Sequence, residues 1–117
     1  MESPTGTFIV GLYNKQLKHA QVVEVNAGGE VLRQFSSPLG ENQDLHVAVD
    51  SHGNAFVADF DNHHILLLDA DLSLRRVIIY EHRLNDKPRR LCYREQSGQL
   101  MTASEYGGVT VFEVLFR

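Results

Sequence analysis

A chain of 117 residues and 13.2 kDa holds one domain's worth of material, which excludes two independent catalytic domains. Hydrophobic residues make up 43% and charged residues 22%, enough apolar material for a core and too much for wholesale disorder. Lys plus Arg number 11 against 15 Asp plus Glu, and the net charge of −4 argues against a protein whose main task is to grip nucleic acid.

Apolar residues recur in short runs and alternations separated by Gly, Asp, Asn and Ser, the punctuation of strands and turns. In chain order the pattern predicts strands over residues 7–12, 21–25, 30–35, 45–49, 54–59, 65–69, 74–80, 91–94, 99–104 and 109–114. No long helical stripe interrupts them, so the fold class is all-β. Ala27-Gly28-Gly29, Ser51-His52-Gly53-Asn54 and Gln96-Ser97-Gly98 each place a glycine where a tight hairpin asks for positive φ. Antiparallel neighbours joined by short loops follow. The N-terminus carries Glu2 and no basic stretch before its short apolar run, and no run approaches the roughly 18 apolar residues of a membrane helix. No signal peptide or membrane contact is expected, and the default compartment is the cytoplasm. The single Cys92 excludes an intramolecular disulfide.

The chain is similar to itself. VDSHGNAFVAD and REQSGQLMTAS bring Gly53 and Gly98 into register 45 positions apart. NAGGEVLRQF (from Asn26) lies over DADLSLRRVI (from Asp69) at a spacing of 43, and FIVGLYN (from Phe8) lies over FVADFDN (from Phe56), with an insertion at residues 15–20. A period near 40–45 residues with four strands per unit is what a β-propeller blade requires. The stretch HVAVDSHGNAFVADFDNHHILLLD, residues 46–69, resembles an NHL repeat through Asp50, Gly53, Asn54, Val57, Ala58, Asp59, Asn62, His63 and Ile65. The flanking units match by pattern: Gly11 and Ser104 stand where Asp59 stands, Gly107 where Asn62 stands, and His64 where the family often carries Arg.

The resemblance implies a partial propeller of four-stranded antiparallel blades, about two and a half of them. Naming blade strands A to D from the centre outward, residues 7–37 would supply B, C and D, residues 38–82 all four, and residues 83–117 A, B and C. Such an arc cannot close, and it leaves apolar end faces and unpaired edges. Either the chain belongs to a longer ring, or it self-associates. Two copies would give six blade remnants, a size common among NHL-type rings, so a homodimer pairing like edges is the simplest closed oligomer.

Candidate sites are weighed in the same way. Asp50, Asp59, Asp61, Asn62 and His63 are competent metal ligands, but Asp and Asn at such turns more often bond their own backbone. Asp69-Ala70-Asp71-Leu72-Ser73 fails as a calcium loop, because Leu74 replaces the required glycine and Tyr80 the closing glutamate. Among six histidines, adjacent His63 and His64 point to opposite faces of a strand and cannot chelate one ion. His46 is the one histidine placed to face a central channel, and propeller lyases hold zinc there with histidines from several blades. Cys92 lies between Leu91 and Tyr93 without an adjacent base and is expected as a small buried hydrophobe. No nucleophile elbow or phosphate-binding glycine loop is present. The expectation is therefore a non-enzyme with no cofactor and no metal.

Arg83, Lys87, Arg89 and Arg90 cluster around Pro88 in the connection between the second and third units. The resemblance places them on one rim with Phe60, Asp61, Asn62 and His63, and that rim is the candidate binding surface. Its expected role is protein–protein interaction and self-assembly, as a rigid scaffold presenting loops. Single-stranded RNA on a basic version of this rim is the alternative, with Tyr80, Phe60 and Tyr106 as stacking aromatics. A propeller lyase or hydrolase fragment with a channel metal is the third reading.

Overall fold

The computed structural model describes residues 1–2, 6–14, 16, 19–35, 46–59, 64–79, 88–104 and 107–114. Ten strands form three antiparallel sheets, with no helix among the described residues. Sheet 1 is β1 (Phe8–Asn14), β2 (His19–Val25) and β3 (Val31–Gln34) in that order. Sheet 2 is β4 (His46–Val49), β5 (Ala55–Asp59), β6 (His64–Leu68) and β7 (Leu74–Ile79). Sheet 3 is β8 (Pro88–Arg94), β9 (Gln99–Ser104) and β10 (Val109–Glu113). Every strand pairs with its neighbour in sequence, as short loops with turn-forming residues dictate. No helix of the described residues is long and apolar enough to cross a membrane.

Turn chemistry repeats with the strands. Asn26 Oδ1 accepts the N–H groups of Gly28 and Glu30, and Asp69 Oδ1 accepts those of Asp71 and Ser73, the same side-chain turn 43 positions on. A bulge follows the same geometry, falling at Glu24/Val25 in sheet 1 and at Leu67/Leu68 in sheet 2. Gly53 and Gly98 both take positive φ, at 84° and 66°. Gly29 does so at 83°, and its counterpart Leu72 takes 59° although leucine avoids that region. The side chain explains the exception: Leu72 is buried between sheets 1 and 2, and full burial of a leucine contributes about 1.5–3 kcal/mol against about 1–2 for the backbone strain.

The sheets stack face to face. Ile9, Ala20, Val22 and Phe35 of the sheet 1 unit pack on Ala55, Val57, Leu66 and Leu68 of sheet 2. On its other side sheet 2 presents Ala48, Phe56, Ala58, Ile65 and Leu67 to Leu91, Leu100 and Val114 of the sheet 3 unit. Covered on both faces, β5 and β6 read as continuous apolar runs rather than alternations. Arg33 ties the first pair of sheets at the outer edge, donating to the Ala70 carbonyl at 3.1 Å and lying 3.5 Å from both Glu24 and Asp71.

Two details differ from the sequence reading. Phe8 does not occupy the place of Phe56. Phe8 pairs with Val25 as Ala55 pairs with Leu68, so Ile9 is the counterpart of Phe56, and Phe8 is 39% exposed where Phe56 is fully buried. A slip of one residue sends a strand's side chains to the opposite face. The third unit's first strand also starts earlier than expected, at Pro88 rather than Leu91, because Pro88 and Arg90 pair with Ser104 and Ala103 across a bulge. Proline is tolerated there at the first position of an edge strand.

Candidate functional site

The first strand of each sheet lies on one side of the molecule, and β1, β4 and β8 together border a groove of about 580 Å³. Consecutive residues of each strand line it, so the groove runs along strand edges rather than over one sheet face: Ile9, Val10 and Gly11 from β1, Val47, Ala48 and Val49 from β4, and Leu91, Cys92 and Tyr93 from β8. Residues 1–2 lie along the free side of β1. The Met1 ammonium donates to the Ile9 carbonyl at 2.6 Å, Ile9 N–H donates to the Met1 carbonyl at 2.7 Å, and Glu2 bridges to Phe8. Met1 also meets the second sheet, its Sδ 3.2 Å from Val49 N.

His46 stands at the mouth of β4, where the sequence placed the one channel-facing histidine. Its Nδ1 accepts the Leu91 N–H at 2.9 Å, which joins sheet 2 to sheet 3. Burial lowers the imidazole's pKa below 6.5, and the positive charges of Arg90 and the N-terminus lower it further. The neutral ring is the form this bond needs, so the histidine is spent on holding two sheets together. Tyr93 packs on Phe56 with ring centroids 4.6 Å apart. Its phenol is held above the ordinary value of 10.0 by burial first and then by the negative charges of Asp50 and Glu95, so it stays protonated. Cys92 is exposed, not the buried hydrophobe expected from its apolar neighbours. It lies on the face of sheet 3 turned away from sheet 2, opposite Met101.

A second polar cluster spans the same two sheets. Asp50, His52 and Glu95 offer ligand atoms within 4.8 Å of one another, the set among the described residues that could hold a cation. Their bonds already account for the arrangement. Asp50 Oδ1 accepts the N–H groups of His52 and Asn54 and its Oδ2 accepts the Asn54 side-chain amide, each at 2.9 Å. Ser51 donates to Glu95 Oε1 through both its N–H and its hydroxyl, at 3.0 and 2.6 Å, and His52 lies 3.5 Å from the same oxygen. These two Ser51 bonds chiefly hold the Glu95 carboxyl below its ordinary 4.5. The sequence reading flagged Asp50 as a turn former and missed Glu95, which sits one unit away from its partners and has no local signal.

Of the rim residues singled out from sequence, Phe60, Asp61, Asn62, His63, Arg83 and Lys87 lie outside the described residues. Arg89 and Arg90 belong to β8 rather than to the connection before it. Arg90 pairs with Ala103 and is exposed on the same outward face as Cys92 and Met101.

No family model matches the chain, and no curated protein matches it. Among solved structures, the crystal structure of a protein of unknown function from Bacteroides caccae is similar, with a TM-score of 0.57 at 19% sequence identity. The likeness is one of fold. It covers 86% of this chain and 35% of the other, so the chain spans about a third of the structure it matches.

Proposed function

We propose that the chain is an NHL-type propeller arc of about two and a half blades, acting as a non-catalytic binding and scaffold module that completes itself by association. The blade units of this reading are residues 7–37, 38–82 and 83–117. Three features support it. Turns and bulges recur at the spacing of a blade repeat, the first strands of all three sheets border one groove, and a much longer chain carries a similar arrangement over 35% of its length, the relation of an arc to a ring.

The observation that carries the reading is the uncovered outer face of sheet 3. Met101, Val109 and Val111 are exposed there in a row that alternates as a core-facing row does. The imidazole of the groove, His46, is engaged in joining sheets 2 and 3, which suits a rigid scaffold better than proton transfer. Arg90 stands among these apolar residues and not on a solvated loop, so protein contact explains its place better than RNA does.

Static light scattering across a tenfold range of concentration tests the proposal. A discrete species at a multiple of 13.2 kDa is expected, and a monodisperse particle of 13.2 kDa throughout would overturn self-completion.

A further inference from the structure

Each of the two end faces of the stack repeats a face already buried inside it. Sheet 2 covers sheet 3 with Ala48, Phe56, Ala58, Ile65 and Leu67, paired as Ala48↔Phe56↔Leu67 and Ala58↔Ile65. The outer face of sheet 3 has the same lattice: Cys92↔Met101↔Val111 and Ala103↔Val109. A small residue holds each small place, and a larger apolar residue holds each large one. Burial alone differs. Phe56 and Ile65 are fully buried and Leu67 is 3% exposed, whereas Met101, Val109 and Val111 are 37%, 68% and 49% exposed.

At the other end, the outer face of sheet 1 repeats the face that sheet 2 turns toward sheet 1. The shared bulge fixes the correspondence. Val25 answers to Leu68, and the pairs Phe8↔Val25 and Val10↔Val23 answer to Ala55↔Leu68 and Val57↔Leu66. This face is less open than that of sheet 3: Phe8 and Leu12 are 39% and 37% exposed, Val10 and Val25 are half-buried, and Val23 at its centre is buried. Glu2, bridged to Phe8, therefore takes the place that Val49 has opposite Ala55 and that Tyr93 has opposite Leu100. In the buried interface of sheets 2 and 3, Tyr93 stacks on Phe56 and Asp50 lies close enough to act on its hydroxyl. On the free face of sheet 3, Met101 holds the place of Phe56 and Arg94, next after Tyr93, the place that Asp50 holds after Val49. A glutamate would thus come to rest beside an arginine.

We infer that a second copy of this chain docks head to tail, the outer face of its sheet 1 seated on the outer face of sheet 3 with Glu2 against Arg94. The docking continues the stacking of sheet on sheet already present twice in the chain, and it rests on the self-association proposed above. It replaces the pairing of like edges with a heterologous contact, which two arcs make twice as they close one ring of six sheets.

Two surface variants decide the arrangement, each made in the full chain and checked for native circular dichroism. Phe8→Glu disables the head and Val111→Glu disables the tail. Each alone should be monomeric by light scattering, and an equimolar mixture should associate through its one intact contact, the head of one variant on the tail of the other, more weakly than the wild type, which makes two. Association of either variant alone would refute head-to-tail docking, and so would two monomeric variants that stay monomeric when mixed. A wild-type chain that is itself monomeric would instead remove the proposed self-association. Should either variant misfold, charge reversal decides. Glu2→Arg should weaken association about fivefold or less, the scale of an ion pair at a rim, and adding Arg94→Glu in the same chain should restore it. No weakening, or no restoration, would count against the Glu2–Arg94 register.

Discussion

Glu95 shows how one exposed side chain joins two units. Its carboxylate accepts two bonds from Ser51, and its pKa is lowered chiefly by them, so the charged form is the one that binds. A group whose pKa is depressed on folding contributes stability above its unfolded value and loses it as pH falls through the folded value. Glu95→Gln should therefore lower the urea midpoint at pH 7, and the gap from wild type should close as pH drops below 4.5. A gap that stays constant from pH 7 to pH 3 would show that the carboxylate's charge is not what Ser51 binds. The same residue marks a boundary of sequence reading: Asp50 and its turn are legible because donor and acceptor lie within four positions, whereas Ser51 and Glu95 are 44 apart.

Strand β5 is the element most exposed to a packing defect, because sheets cover both of its faces. Phe56→Ala should destabilise the fold by about 3–5 kcal/mol, a large share of the stability of a small domain. Met101→Ala, at the corresponding place on β9, should cost less than about 1 kcal/mol under dilute conditions, since a half-solvated side chain leaves little cavity. Denaturant titration at low protein concentration measures both. Equal losses would mean that the outer face of sheet 3 is as fully covered in the single chain as the inner face of sheet 2 is. All ten strands were legible as strands because their apolar runs end in turn formers whose chemistry is local. The facing of β1 was not: Phe8, Ile9 and Val10 are consecutive hydrophobes, and an unbroken apolar run carries no period of two to say which side is inward. Only the bulge, a property of pairing between strands, resolves it.

At the scale of the whole molecule, three sheets offer six broad faces and bury two pairs of them against each other, leaving one at each end. Anything that binds the folded chain through those ends stabilises it by mass action. The thermal midpoint of the wild-type chain should therefore rise with protein concentration, while that of Val111→Glu should not, as differential scanning calorimetry at two concentrations would show. A midpoint independent of concentration would mean that the ends are not joined in the folded state. The all-β class and the order of the sheets were within reach of the sequence, because a repeat near 45 residues survives even where individual residues drift. The candidate rim was less accessible: Arg89 and Arg90 read as a basic loop by composition, yet pairing with β9 draws them into a strand.

Every strand here bonds to the strand before or after it, and every sheet leans on the unit before or after it. Such a chain is close to a one-dimensional array, in which neighbours couple and distant parts do not. A gene of this kind can gain or lose a whole repeat by unequal recombination without unpairing any strand that remains, so its length is free to drift during descent in a way that an interleaved topology forbids.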